Sequence, residues 1–269
     1  MTNQAWPRGL EPDATDVGVG IARTIPDLPD RDEVREVEAL NLAAIAASRR
    51  TVYLENQYLA SRRLADALAD RLRDPDGPEI VIVLPPRRSE SRLEQESMDS
   101  ARKLLLEELW AADNQHRLGV YWPVTDAGAP IYVHSKILVV DDRLLRIGSS
   151  NLNNRSMGFD SECDVAIESG PADDSLRQTI TAFRNRLISE HLGVAAGDFD
   201  AALQDGATFL EATEALIGEG RTLRRFTADT VVGEGSPLAE NELMDPDHVP
   251  SSLATSLRRL LTRLGNSRG

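Results

Sequence analysis

The chain has 269 residues, 41% of them hydrophobic and 28% charged, which is the composition of a folded globular protein. Its net charge is −14 and it has no cluster of Lys and Arg, which argues against tight nucleic-acid binding. No apolar run is long enough to span a membrane, and no secretory signal is visible at the N-terminus. A single cysteine, Cys163, excludes an internal disulfide, so a reducing, cytoplasmic location is expected.

Helices and strands alternate along most of the chain. A proline-rich lead-in over residues 1–30 comes first, with a candidate edge strand at residues 17–23. Helices are expected over residues 32–50, with Asp32 as the N-cap, and over residues 63–74, 91–115 and 173–193. Strands are expected over residues 51–59, 79–86, 117–124 and 163–169, with two more within residues 131–151 joined by a turn at Asp141 and Asp142. This alternation predicts an α/β fold.

The C-terminal part has a different character. From Asp229 to Asp247 there are six acidic residues and no basic one, which indicates a weakly structured arm. A short amphipathic helix is expected around residues 252–264. Residues 196–269 are therefore expected to form a helical and irregular extension.

One short stretch combines His134 with Lys136. Lys136 is one of two lysines among 30 basic residues, so an arbitrary basic position would be arginine and the lysine favours a functional explanation. Two residues apart on a strand, the two side chains point to the same face, where burying both in a core is costly. An ammonium and an imidazole can both donate hydrogen bonds to phosphate oxygens. The pair therefore predicts an anion site.

Further polar residues follow the second strand of this region. Gly148 permits close approach of the backbone, and the Ser149 hydroxyl and Asn151 amide can hydrogen-bond a phosphate or a neighbouring carboxylate. Glu162, eleven residues beyond Asn151, is a candidate to orient an imidazole through its second ring nitrogen. Upstream, the Glu-Asn-Gln run at residues 55–57 could line the same pocket.

Six of these positions form a known pattern. The letters HxKxxxxDxxxxxxGSxN are filled by His134, Lys136, Asp141, Gly148, Ser149 and Asn151. The pattern resembles the HKD motif of the phospholipase D superfamily, and the flanking segments "YLENQYL" and "NNRSMGFDSECDVAIE" resemble the same family. The resemblance extends over about residues 17–192 and implies a mixed β-sheet flanked by helices, with the catalytic half-domain at residues 31–195.

The family's catalytic unit has two such motifs, and this sequence has one. His116, His191 and His248 are not followed two residues later by lysine, and His116 is expected on the surface. The upstream segment resembles the part that precedes the second motif of two-motif members. The resemblance therefore implies a C-terminal half that needs a separate N-terminal half, with a homodimer as the other possibility.

The resemblance also implies a mechanism with two imidazoles. One attacks phosphorus and forms a phosphohistidine, while the other protonates the leaving alcohol and then activates water or an acceptor alcohol. His134 takes the acid–base role in this scheme, because the first-half histidine is the usual nucleophile. No metal or other cofactor is expected, since cationic side chains stabilise the charge on the phosphoryl oxygens.

The resemblance assigns roles residue by residue. The implied catalytic residues are His134, Lys136, Asp141 and Glu162, and the implied phosphate ligands are Lys136, Ser149 and Asn151. Asp141 lies beyond the strand that carries His134, so a structural or supporting role is expected for it. Cys163, within a strand, is expected to be a small buried hydrophobic residue.

Three functions remain open at this point. The first is a phospholipase D-type enzyme that hydrolyses glycerophospholipids, or transfers their phosphatidyl group, during a transient peripheral contact with a membrane. The second is a nuclease of the same superfamily, which the net charge of −14 disfavours. The third is a half-domain that is catalytically incomplete.

Overall fold

The computed structural model describes residues 7, 9–28, 31–86, 92–231 and 245–246. Within them, nine strands form one sheet. The strands are β1 (Gly20–Ile25), β2 (Val34–Arg35), β3 (Thr51–Glu55), β4 (Glu79–Val83), β5 (Leu118–Val124), β6 (Ile137–Val140), β7 (Leu144–Gly148), β8 (Glu162–Glu168) and β9 (Thr222–Arg225). Their order across the sheet is β2-β1-β8-β7-β6-β3-β4-β5-β9.

Helices cover both faces of this sheet. They are α1 (Glu36–Ala47), α2 (Arg62–Arg73), α3 (Arg92–Ala112), α4 (Asp174–Leu192), α5 (Ala196–Gln204) and α6 (Phe209–Ala215), with one π-helical turn at Arg155–Phe159. Val52 and Leu54 of β3 pack in one apolar cluster, and Tyr53 between them packs in the other. This alternation is the two-residue period of a strand that is buried on both sides.

The sheet is mixed, as the resemblance to the phospholipase D superfamily implied. β3, β4 and β5 are parallel, and the remaining pairs are antiparallel. The parallel strands β3 and β4 have four buried residues each, which is typical of strands covered by helices on both faces. The turn expected at Asp141 and Asp142 is present between β6 and β7, and both residues have positive φ angles of 53° and 57°.

The sheet extends beyond the expected limits of the half-domain. β1 precedes residue 30 and pairs with β8, and β9 follows residue 195 and pairs with β5. The first helix begins at Glu36 with Arg35 as its N-cap, so the prediction of an N-cap at Asp32 is wrong. The reason is that Val34 and Arg35 pair with β1 as a short strand. The expected helix at residues 252–264 and most of the acidic arm lie outside the described residues.

Candidate functional site

The HxK segment lies at one edge of the sheet, immediately before β6. The prediction that His134 and Lys136 lie on a strand is wrong, because β6 begins at Ile137. Ile137 pairs with Glu55, the last residue of β3, so the β3 ladder ends at this point. β7 ends at the same edge with Gly148, which pairs with Asp164 of β8. The topology therefore brings the HxK segment and the Gly-Ser-Ser-Asn segment together.

Lys136 is buried beside the backbone of its own segment. Its side chain is 7% exposed, and its Nζ donates to the carbonyl oxygen of His134 at 2.8 Å and to Oε1 of Gln57 at 3.2 Å. A buried ammonium requires such acceptors, because its desolvation is otherwise costly. The site thus holds a fixed positive charge next to the motif histidine.

The imidazole of His134 is exposed and lies against an aromatic ring. Tyr132 stacks on it, with ring centroids 6.3 Å apart and an interplanar angle of 21°. The Tyr132 hydroxyl accepts a hydrogen bond from Nε2 of Gln57 at 2.7 Å. Gln57 therefore connects the ring that supports His134 with the ammonium of Lys136. The sequence suggested that the Glu-Asn-Gln run at residues 55–57 lines the pocket. Of these three residues, Gln57 contacts the motif residue Lys136.

The close approach that Gly148 permits is to a carboxylate of the protein. A Cβ at this position would lie 1.8 Å from Oδ1 of Asp164. Asp164 accepts hydrogen bonds from the backbone N–H groups of Ser149 (3.0 Å) and Ser150 (3.1 Å) and from the Ser150 hydroxyl (2.5 Å). Position 148 therefore requires a glycine, because a side chain there would clash with the Asp164 carboxylate that holds the following loop.

Asp164 forms an ion pair in the interior of the protein. Nε of Arg146 lies 3.2 Å from its Oδ2, and both side chains are 0% exposed. Burial lowers the pKa of Arg146, and the charges of Asp164 and Glu162 oppose that shift. Nη2 of Arg146 also donates to Oδ1 of Asn41 at 3.0 Å. The sequence did not predict the contact between Asp164 and Arg146, because no pattern along one segment indicates that residues of two different strands form an ion pair.

Ser149 and Glu162 are in contact. The Ser149 hydroxyl donates to Oε2 of Glu162, and the Ser156 hydroxyl donates to Oε1 at 2.7 Å. The expectation that Glu162 orients an imidazole stays a prediction. Asn151 binds the Ser156 hydroxyl through its backbone N–H at 3.0 Å, and its Oδ1 is buried with no hydrogen-bond partner among the described residues. This oxygen can accept a hydrogen bond from a donor but cannot bond an anion.

Asp141 lies at the other end of β6, away from His134. Its carboxylate accepts hydrogen bonds from the backbone N–H groups of residues 49, 50 and 51, at 2.8, 2.7 and 2.9 Å. These groups form the connection between α1 and β3. The structure therefore does not bring Asp141 together with the other motif side chains, and its contacts are those of a structural residue.

Two further expectations concern individual side chains. Cys163 is exposed, so the prediction that it is a buried hydrophobic residue is wrong. Val165, two residues further along β8 and therefore on the same face, is also exposed. His116 is exposed next to the end of α3, as expected.

Among the described residues, no three or more His, Cys, Asp or Glu side chains are grouped so that they could hold a metal ion. In the same part of the chain, no helix combines the length and the apolar character needed to cross a membrane.

The family model described as "Cardiolipin synthase, PLD-like domain" matches residues 42–186, more than half of the chain. Two curated relatives show the range of similarity. Phospholipase D zeta 1 of Arabidopsis thaliana is 42% identical over 84 residues, which are 28% of this chain and 8% of the relative. Phospholipase D of Phytophthora infestans is 27% identical over 214 residues, covering 62% of this chain and 12% of the relative. The chain thus spans a small part of the length of these relatives.

Solved structures also resemble this chain. Nuc of Salmonella typhimurium, described as a phospholipase D family member, matches with a TM-score of 0.44 and 16% identity, covering 62% of this chain and 91% of that one. The phosphatidylserine synthase of Haemophilus influenzae matches with a TM-score of 0.47 and 17% identity, covering 63% of this chain and 38% of that one.

Proposed function

The chain belongs to the phospholipase D superfamily, and we propose that it supplies one half of a phosphodiesterase site that acts on glycerophospholipids. The observation that carries this proposal is that one segment holds both an exposed imidazole, His134, and a buried ammonium, Lys136, where β3 ends. An exposed imidazole can exchange protons with a substrate, and a fixed ammonium attracts a phosphate anion.

In this proposal the surrounding side chains bind the phosphoryl oxygens. Lys136 contributes the charge, and the Ser149 hydroxyl and the Asn151 amide contribute hydrogen bonds. The donor of the Asn151 amide is its Nδ2 group, because Oδ1 is an acceptor and cannot bond a phosphoryl oxygen. Ser149 exchanges its hydrogen bond with Glu162 for one with the substrate, and Glu162 keeps its bond to Ser156.

His134 acts as the acid and base in this reaction. Protonated, it donates to the departing alcohol oxygen while a second imidazole forms a bond to phosphorus. Neutral, it then takes a proton from water, or from an acceptor alcohol, whose oxygen attacks the phosphohistidine and releases the second imidazole. Hydrolysis and phosphatidyl transfer differ only in this acceptor.

The second imidazole comes from outside the described residues of this chain. Within them, His116 is exposed beside the end of α3, and His191 is held by Glu55 at 3.2 Å. One imidazole cannot attack phosphorus and protonate the leaving group in the same step. We therefore propose that a separate N-terminal half completes the site, and a second copy of the chain is the alternative.

Phospholipid is the substrate that the remaining observations favour. The relatives from Arabidopsis thaliana and Phytophthora infestans are named phospholipase D. The net charge of −14 opposes binding of a long polyanion but permits a small cationic pocket. A peripheral contact of a cytoplasmic protein with the membrane surface completes the proposal.

The test is release of choline from phosphatidylcholine vesicles by the purified chain and by a His134→Asn variant. Release that is lost in His134→Asn and retained in His116→Asn supports the proposal. Cleavage of DNA that depends on His134 replaces it with a nuclease. No turnover of either substrate by folded, monomeric chain means that the half-domain is incomplete alone, and addition of the missing half is then required for choline release.

A further inference from the structure

A buried polar cluster lies behind the HxK segment. Glu55, which is 2% exposed, accepts hydrogen bonds from the hydroxyls of Ser135 (Oε2, 2.5 Å) and Tyr53 (Oε1, 2.5 Å). Nε2 of His191 lies 3.2 Å from Oε1 of the same carboxylate. None of these four residues belongs to the HxKxxxxDxxxxxxGSxN pattern, so the proposed function leaves the cluster unexplained.

Ser135 connects this cluster to the site. It lies between His134 and Lys136, and its neighbours Val133 and Ile137 are buried in the apolar cluster that includes Tyr53. Ser135 lies on the same side as Val133 and Ile137, because its hydroxyl donates to the buried carboxylate of Glu55. The segment is held on both sides, by Gln57 at Lys136 and by Glu55 at Ser135.

Glu55 is a carboxylate acceptor in this cluster. Burial raises its pKa, but the hydrogen bond and charge of His191, together with the hydroxyls of Ser135 and Tyr53, outweigh burial. The net effect is a pKa below the usual range of a glutamate. A buried carboxylate of this kind depends on its donors, and loss of one donor leaves it incompletely solvated.

His191 connects the cluster to a helix that is distant in sequence. It lies in the last turn of α4, which ends at Gly193 with a φ of 72°. The C-terminal turn of a helix favours a cation, so this position suits an imidazole that donates to a carboxylate. The same turn is anchored by the buried side chains of Ile188 and Leu192. The helix therefore presents His191 to Glu55 from a rigid position.

We propose that His191 is a positioning residue that acts through Glu55 and Ser135 to hold the segment carrying His134 and Lys136 in its phosphate-binding orientation. The inference rests on the proposed function, because it assumes that phosphate binds beside Lys136. His191 itself does not touch the substrate. Its loss loosens the anchor of Ser135 and with it the placement of the two flanking side chains.

The experiment is a titration of the full chain with inorganic phosphate, followed by the NMR signals of the His134 imidazole. The variants are His191→Ala, Ser135→Ala and the double variant, with His116→Ala as the matched histidine control. We expect each single variant to weaken phosphate binding about fivefold to tenfold and the control to leave it unchanged. The double variant is expected to bind no more weakly than either single one, because the two residues act in series.

A conservative variant separates positioning from folding. His191→Gln keeps an N–H donor near Glu55 and is expected to recover binding to within about twofold of the wild type. Additive losses in the double variant would overturn the inference. So would a His191→Ala effect below about twofold, or one that follows the loss of thermal stability and is not recovered in His191→Gln.

The same titration separates this inference from the proposed function. Lys136→Met is expected to abolish the phosphate-dependent shift of His134. If the wild type shows no shift, or if Lys136→Met shifts as the wild type does, the proposed phosphate site is wrong and the positioning role falls with it. If Lys136→Met loses the shift and the His191 and Ser135 variants bind normally, only the positioning role is wrong.

Discussion

The two ends of the β6–β7 hairpin carry residues of the same motif and use them differently. At one end, Lys136 donates to Gln57, Ser149 donates to Glu162, and the buried Oδ1 of Asn151 has no partner among the described residues. At the other end, Asp141 accepts three backbone hydrogen bonds. In the proposed function, the fixed spacing of one motif therefore places a structural carboxylate and ligand-binding side chains at opposite ends of a hairpin.

The two ends of the hairpin should respond differently to substitution. A side chain whose partners are all within the protein contributes to stability, and one that is held ready for a ligand contributes to binding, often at a cost in stability. Substitutions at the two kinds of position should therefore separate free energy of unfolding from phosphate affinity. The expected effects on stability differ in size and, at Lys136, in sign.

The largest effect is expected for Asp164→Ala, which removes the carboxylate under the Gly-Ser-Ser loop. Arg146, 0% exposed, then keeps a buried charge without its partner. We expect the free energy of unfolding to fall by about 3–5 kcal/mol, measured by urea denaturation. A fall below about 1 kcal/mol would show that the Arg146–Asp164 pair is not needed for the fold.

A smaller loss is expected for Asp141→Ala. The substitution removes the acceptor for three backbone N–H groups, and we expect about 2–3 kcal/mol of destabilisation with unchanged phosphate affinity of the folded protein. Asp141→Asn is the control, because it retains a carbonyl oxygen and tolerates the φ of 53°. Lost phosphate binding in folded Asp141→Ala would contradict the contrast between the two ends.

The effect on stability is expected to change sign for Lys136→Met. Removing a buried ammonium and replacing it with an unbranched apolar chain should leave the free energy of unfolding unchanged or raise it by about 1 kcal/mol. Phosphate binding should be lost in the same variant. Lys103→Met, at the other lysine of the chain, is the matched control and should bind phosphate normally. A strongly destabilised Lys136→Met would place Lys136 with the scaffold residues.

The smallest effect concerns a carboxylate from outside the hairpin. Asp245 accepts the backbone N–H groups of Asn154 and Arg155, each at 2.8 Å, next to the Gly-Ser-Ser-Asn segment. Burial raises its pKa to about 6, although these two hydrogen bonds act in the opposite direction. Because the folded contact binds the proton more tightly than the unfolded chain, its stability is greatest below pH ~4 and falls as the pH rises to about 6.

The backbone amide signals of Asn154 and Arg155 report this titration. In the wild type they should shift with a midpoint near pH 6, and in Asp245→Asn the shift should be absent. A midpoint near 4 would mean that burial of Asp245 has no effect on its proton affinity. In that case the contact of Asp245 with Asn154 and Arg155 would not be destabilised as the pH rises to about 6.

The sequence by itself determined the α/β alternation, most helix and strand positions, the β6–β7 turn and the motif residues at the site edge. These features are local, because hydrophobic period, turn residues and fixed spacing are all read over a few residues. It did not reveal that His134 and Lys136 precede the strand, since that depends on where the neighbouring strand β3 ends.

Only the tertiary structure decided which distant groups meet. Asp164 reaches the backbone of Ser149 across 15 residues, and Asp141 reaches Arg49 across 92 residues. Glu55 meets His191 because α4 packs against the face of the sheet on which β3 places that carboxylate. Such contacts depend on strand order, register and helix packing, and a periodic pattern along one segment carries none of these.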